Sequence, residues 1–371
     1  MEGLYEVIAP VSVPAFGMTV STLVHDDSGS CAQRASVWDS QGAVSSPDAV
    51  GPTAGQPLTV ETATLKATFS ETGLLQSMTS VKSGATNQVL ESPVEYKGDP
   101  LHNGKHSGAY LFRPAGEPTP HAGQPRVIAV RGAFVSEIHT QFSDTVARVA
   151  RISDYGLQST GSSQAIELDF VSDLGSAYWD DKELYVQFST GVKSQGRFWT
   201  DLNDFHMDKH ESPRVHEHSC TFFDRPNQDC NPIASLFYPI TTTAFIQGEQ
   251  KVGEVQRFSL HSDRPCGAAS RRDGMIEVGL DRRLSSDDEK GLAQGVTDNV
   301  LTKLAYVLTF ETGSSPVQKE DHTSLLSALV VESMSRPFTI MHGTVGKSIA
   351  TREVSTWQND GAVDWPCELD L

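Results

Sequence analysis

Basic residues are scarce in this chain: 29 Lys and Arg stand against 47 Asp and Glu, a formal net charge of −18 over 371 residues. Nucleic-acid backbones are held by clustered cations, and no stretch is more basic than Arg271-Arg272 or Arg282-Arg283, which argues against a nucleic-acid partner. Long apolar runs are missing too. Nowhere do about 18 apolar residues follow one another, so no membrane-spanning helix can be drawn. The opening MEGLYEVIAPVSVPAF has an early Glu2, no basic flank and no apolar core, and does not read as a signal peptide. Cysteine is limited to Cys31, Cys220, Cys230, Cys266 and Cys367, too few for a disulfide scaffold and odd in number, so it assigns no compartment. The absence of any Asn-x-Ser/Thr acceptor speaks against heavy glycosylation.

Hydrophobic residues nevertheless make up 38% of the chain, enough for a packed core and room for one large domain or two ordinary ones. Helical periodicity is nearly absent, and period-two alternation takes its place. Leu65, Ala67 and Phe69 alternate with polar neighbours, as do Ile166, Leu168 and Phe170, then Leu184, Val186 and Phe188, then Ile276, Val278 and Leu280, then Leu304, Tyr306, Leu308 and Phe310. Each run predicts a half-buried strand. Between runs lie turn signals, Glu71-Thr72-Gly73, Gly161-Ser162-Ser163 and Asp273-Gly274, the last expected as a type I′ hairpin. Many strands with short polar turns predict an all-β, multi-layer antiparallel sandwich.

Four segments follow. Residues 1–25 read as a short β segment of a preceding small sandwich, and 26–56, rich in Ser, Gly, Ala and Asp, as a flexible linker or insertion. Residues 57–312 form the main β body, and 313–371 hold a short helix and the start of a terminal β domain. That helix is expected over Ser324–Met334, capped by Thr323 and ended by Arg336-Pro337.

Several clusters could carry chemistry. Asp287-Asp288-Glu289 is the densest acidic run, but a retaining glycosidase needs two carboxyls about 5–5.5 Å apart on one sugar. Adjacent residues on extended backbone face opposite ways, so a solvated turn is expected. His216, His218 and Cys220, with Cys230 beyond, have soft-ligand character and could hold zinc; a Cys220–Cys230 disulfide and a loop with idle thiols remain open. Arg282 and Arg283 close an apolar strand, and alternation sends them to opposite faces. One guanidinium could then pair inside the domain while the other offers its fork to an oxygen-rich ligand, or both could form structural ion pairs. Arg197-Phe198-Trp199-Thr200-Asp201-Leu202-Asn203 mixes aromatics, amides and a carboxylate as sugar sites do, and as packed edge strands also do. Tyr110, within Ser107 to Pro114, is either core or a hydroxyl donor to a ligand.

In this order and spacing, these stretches resemble the C-terminal β-rich half of the glycoside hydrolase family 38 α-mannosidases, most nearly the Golgi mannosidase II type. The resemblance runs through Pro14-Ala15-Phe16-Gly17, Glu71 to Leu75, Ser107 to Pro114, Lys193 to Asn203, Tyr238 to Thr242, Gln294 to Asn299 and Ser324 to Ser327. It implies a galactose mutarotase-like supersandwich with smaller flanking β segments. It further implies a zinc-dependent, retaining exo-α-mannosidase acting on mannose-containing N-glycans in the Golgi or another secretory-pathway lumen. In such enzymes an N-terminal catalytic domain supplies the zinc ligands and both catalytic aspartates. The β half lends a tyrosine and an arginine to the sugar, which fall here on Tyr110 and on one of Arg282 and Arg283. Residues 211–231 look like an insertion relative to that family. The chain opens partway into the family's sequence and closes apparently inside a strand, so a fragment of a longer enzyme and a stand-alone carbohydrate-binding or protein-interaction module are both open readings.

Overall fold

The computed structural model describes residues 35–42, 51–52, 56–82, 84–98, 107–132, 135–153, 164–202, 206–211, 231–251 and 254–314, with helical residues at 327–328, 330–331 and 334. The alternating runs assemble into two large antiparallel sheets. The ten-stranded sheet runs, edge to edge, through β1 (Ser36–Asp39), β7 (Arg126–Arg131), β8 (Val135–Gln141), β9 (Val146–Ser153), β10 (Gln164–Ser172), β19 (Thr302–Ser314), β16 (Glu254–Ser262), β15 (Thr243–Lys251), β12 (Arg197–Leu202) and β13 (His206–Glu211). The nine-stranded sheet runs through β14 (Phe237–Ile240), β17 (Cys266–Ala269), β18 (Met275–Arg283), β11 (Lys182–Thr190), β5 (Thr86–Lys97), β4 (Leu75–Ser80), β3 (Leu65–Phe69) and β2 (Leu58–Glu61), with β6 (Thr119–Pro120) paired to β5.

The inward rows of the two sheets form one core. Ala67 and Phe69, Ile166, Leu168 and Phe170, Leu184, Val186 and Phe188, Ile276 and Val278, and Leu304, Tyr306, Leu308 and Phe310 are all buried in it. These are the residues the alternation singles out. Each large aliphatic or aromatic side chain so buried stabilises the fold by roughly 1.5–3 kcal/mol before entropy is counted.

An ion pair crosses this apolar layer. Arg148 of β9 donates from Nε and NH2 to both carboxylate oxygens of Glu91 of β5, at 3.1 and 2.8 Å, and both side chains are fully buried. Arg148 also reaches the carbonyls of Gly73 and Ile138, and Glu91 accepts the Leu75 N–H. Phe69 and Phe142 stack against the guanidinium, at 5.5 and 5.7 Å from their ring centroids. Because neighbouring polar groups are satisfied as well, the pair can persist in the interior and join one sheet to the other.

The structure departs from the sequence-based expectations in two places. Within the stretch expected as a linker, Ser36–Asp39 forms an edge strand on β7, and Asp39 is fixed by Arg126 at 2.7 Å. A Ser- and Gly-rich composition hid a four-residue strand that owes its place to its neighbour. Asp273-Gly274 is not a two-residue type I′ hairpin. Of the two, only Gly274 has positive φ, 75°, whereas that turn needs both, and the residues between β17 and β18 run from Ser270 to Gly274. Within the stretch expected as a helix, residues 327–328, 330–331 and 334 are helical while Thr323 and Arg336-Pro337 lie outside the described residues, and Val330 packs with Ala165 and Val307 on the outer side of the ten-stranded sheet. The Gly161-Ser162-Ser163 turn and the segment 1–25 lie outside the described residues.

Two carboxylates make the fold acid-sensitive. For Glu95, burial raises the pKa, but hydrogen bonds from His121, Lys182 and Tyr178 outweigh it and hold the group at about 2. For Glu137, the His139 hydrogen bond leads and, with Arg151, brings the pKa to about 2 despite burial. A depressed carboxyl pKa contributes stability above its unfolded value, here 4.5, and loses it as pH falls toward the folded value. The melting temperature is therefore expected to drop steadily between pH 4.5 and 2, and calorimetry across that range would show a flat profile if neither pair forms in solution.

Candidate functional site

The outward row of the nine-stranded sheet carries a second, smaller cluster in which Val94, Tyr96 and Tyr185 are covered by Phe112, Ile233 and Phe237. Tyr96 meets Phe112 and Tyr185 edge to face, with centroids 5.3 and 5.1 Å apart, an arrangement favoured by ring quadrupoles. Burial and the neighbouring Glu277, to which Tyr96 donates at 2.5 Å, push its phenol far above the ordinary range. Arg271 balances Glu277 at 3.0 Å. Phe112 is the anchor that lays the 107–114 loop over this face, and a bridge between Gly98 and Pro114 ties the loop back to the sheet.

A register irregularity decides which arginine meets that loop. Between β11 and β18 the pairing slips so that Leu184 faces Asp281 and Tyr185 faces Gly279. The extra residue reverses the phase of β18 beyond Leu280. Asp281 points inward, where Ser172 donates to it at 3.0 Å, and Arg282 points outward beside Glu183. The Arg282 NH2 group donates to the carbonyls of Gly108 and Leu111 and lies 3.2 Å from Glu183. Ser107 donates to the same carboxylate at 3.0 Å. Burial pushes the Glu183 carboxyl up, with Arg282 and Ser107 opposing. Among the described residues Arg282 NH1 has no partner, and its Nε is buried and unbonded. Arg283 turns the other way, to Asp180 at 2.7 Å, the Thr297 carbonyl at 2.8 Å and Asn299 at 3.2 Å.

The two arginines thus face opposite sides, as alternation requires, but neither is free: both guanidiniums are engaged by the chain, and they are 29% and 16% exposed. The acidic run holds a second correction. Asp288 is not part of a solvated turn; it is 1% exposed and accepts the backbone N–H groups of Tyr110 at 2.6 Å and Leu111 at 2.9 Å. Burial works against its ionisation, and these bonds with that of Lys290 prevail, leaving its pKa below the ordinary aspartate value. The approach is close enough that a Cβ on Gly108 would sit 2.6 Å from the Asp288 side chain, so only glycine fits there. Asp288 lies 177 positions from Leu111, and no local pattern could have disclosed the contact. Separation in sequence also hid Glu183, 99 positions from Arg282.

Tyr110 sits at the crest of the loop with 65% of its surface exposed. Its backbone is fixed and its hydroxyl has no partner among the described residues. Trp199, by contrast, is no ligand platform. It is fully buried and stacked on Phe245 at 5.0 Å, and Asp201 is spent on the backbone N–H groups of Thr241, Thr242 and Thr243. His216, His218, Cys220 and Cys230 lie outside the described residues, as does Asn203. Among the described residues no group of three or more His, Cys, Asp or Glu side chains could hold a metal ion.

Residues 60–290 match the Glycosyl hydrolases family 38 C-terminal domain. Alpha-mannosidase 2 of Arabidopsis thaliana is 32% identical over 263 residues, covering 68% of this chain and 21% of that protein. Alpha-mannosidase 2x of Mus musculus is 30% identical over 387 residues, covering 99% of this chain and 31% of that protein. The chain therefore spans between a fifth and a third of the length of these relatives. Among solved structures, an alpha-mannosidase from Enterococcus faecalis V583 aligns with a TM-score of 0.47 and 11% identity, covering 72% of this chain and 30% of that one.

Proposed function

Because the chain belongs to the glycosyl hydrolase family 38 C-terminal domain family, we propose that it is the sugar-contacting β portion of a zinc-dependent, retaining exo-α-mannosidase that removes terminal α-mannose from N-glycans in the secretory pathway. The observation that carries this reading is the 107–114 loop. It presents an exposed Tyr110 whose hydroxyl has no partner among the described residues, and its backbone is held from below by Asp288 and Arg282. A phenol on a fixed backbone can donate to a sugar hydroxyl without first paying for loop order, the condition for a productive contact. Arg282 is the arginine of the pair assigned to the sugar, through NH1; Arg283 is assigned to the fold. The zinc and the two carboxylates that break the glycosidic bond are assigned to the catalytic portion of the longer enzyme. In this division, the residues of this chain orient the mannose and hold its hydroxyls while the reaction occurs elsewhere.

Purified 1–371 is accordingly expected not to hydrolyse an aryl α-mannoside, with or without added zinc, and turnover that follows the protein through purification would refute the division of labour. Joined to a catalytic portion, Tyr110→Phe is expected to lower kcat/KM by about 2- to 100-fold, the loss of one or two hydrogen bonds worth about 0.5–3 kcal/mol. Its melting temperature should stay unchanged, since the hydroxyl has no partner among the described residues. Unaltered kinetics would favour a non-catalytic carbohydrate- or protein-binding module instead.

A further inference from the structure

On the opposite side of the nine-stranded sheet from Tyr110, three segments bring a serine, a histidine and a carboxylate into line. Glu95, near the end of β5, is paired with Leu184 and so stands on the inward row. His121 follows β6; its ring is 2% exposed and lies parallel to Trp179, with centroids 5.5 Å apart and planes 19° from parallel. Ser143 belongs to the turn between β8 and β9. His121 Nδ1 is 2.6 Å from Glu95 Oε1, and His121 Nε2 is 3.1 Å from Ser143 Oγ.

The proton positions follow from the partners. Glu95 also takes the Tyr178 hydroxyl at 2.9 Å and the Lys182 ammonium at 3.0 Å, and these bonds hold it ionised, as its low pKa shows. A carboxylate can only accept, so His121 Nδ1 carries the proton. In the neutral ring Nε2 is then a bare lone pair, and Ser143 must donate to it. Further along, Trp179 Nε1 donates to Thr145 Oγ1 at 3.0 Å, which frees the Thr145 hydroxyl to donate to Ser143 Oγ at 3.3 Å. The Thr145 N–H points at the same oxygen, at 3.3 Å. Every bond runs in one direction, from the indole through both hydroxyls to the imidazole and the carboxylate. An oriented base on the proton of a hydroxyl, itself fixed by a carboxylate, is the geometry shared by nucleophile–base–carboxylate triads.

We propose that Ser143, His121 and Glu95 form a nucleophile, base and carboxylate relay that takes an acyl group from a small carboxylic ester. In the step, Ser143 Oγ bonds to the ester carbonyl carbon as its proton passes to His121 Nε2. The carbon–alkoxide bond then breaks, and the alcohol leaves with that proton. Water, deprotonated by the same nitrogen, cleaves the acyl-serine to release the acid and restore the hydroxyl. Glu95 keeps the ring in its tautomer and balances the imidazolium formed in between. The site does not depend on the mannosidase reading, because it shares no residue with the Tyr110 loop.

A fluorophosphonate probe tests it on the whole chain: Ser143 displaces fluoride at phosphorus in the same way and retains the adduct. Native protein is expected to gain one adduct, mapped to the Ser143 peptide, at a rate at least about 100-fold above that of the same protein unfolded in urea, the usual range for positioned general-base assistance. Ser143→Ala should lose the adduct, and His121→Gln should slow it by a similar factor. Release of p-nitrophenol from p-nitrophenyl acetate should fall in parallel. Absence of an adduct, an adduct on another residue, equal labelling of native and unfolded chain, or an undiminished rate in a folded His121→Gln protein would each overturn the proposal and leave a structural hydrogen-bond chain.

Discussion

Arg148→Met is expected to cost about 3–5 kcal/mol of stability, the usual loss when one partner of a buried ion pair is removed. Methionine fills much of the space, but Glu91 remains in the core with only the Leu75 N–H to hold it. The carbonyl of Gly73 loses the shorter of its two donors and keeps only the Thr140 hydroxyl, at 3.3 Å. Adding Glu91→Leu to Arg148→Met should recover most of the loss, because no unpaired charge is then left between the sheets. Urea titrations of the three proteins would decide it. A single variant within about 1 kcal/mol of the parent would mean that water reaches this pair in solution.

Asp288→Ala should act locally and at the site. The Tyr110 and Leu111 N–H groups lose their acceptor, at about 1–3 kcal/mol for buried donors left unmet, and the loop gives up its main hold besides Arg282 and the packing of Phe112. Amide exchange at Tyr110 and Leu111 is expected to speed up by about 10- to 100-fold, while core strands such as β11 keep their protection. In a catalytically complete enzyme the same change should reduce kcat/KM as much as Tyr110→Phe or more, since it displaces the hydroxyl and loosens the contact to Arg282. Unchanged exchange at the two amides would show that Asp288 does not hold the loop.

The sandwich was legible because inward rows repeat every second residue, and the residues that follow this rule, from Leu65 to Phe310, fill the core. Tyr110 and the arginine pair enter as candidates through motif resemblance, and the opposite orientation of Arg282 and Arg283 follows from strand geometry alone. Their partners were not. Which arginine faces the loop depends on an irregularity beside Tyr185, and alternation counted from Ile276 would pass through that point with the wrong phase. Asp288 looked like one of three solvated acids because its bonds go to main-chain groups far away in sequence. The Ser143, His121 and Glu95 alignment is drawn from three separate segments and has no spacing to read.

The place of β19 bears on how the molecule is made. Among the described strands it is last in the chain, yet it lies inside the ten-stranded sheet, between β10 and β16. Until Thr302–Ser314 has been synthesised, β10 ends in an open edge with Ile166, Leu168 and Phe170 lacking neighbours on that side. At about 5–20 residues per second, the wait from Ser172 to Ser314 is on the order of ten seconds or more. For that time the nascent chain carries an apolar, unpaired strand edge, a template for joining other chains. Folding is therefore committed late, by closure of a central gap rather than by growth from one end, and production in the cell should depend on holdase chaperones for that interval more than on the final stability of the sandwich.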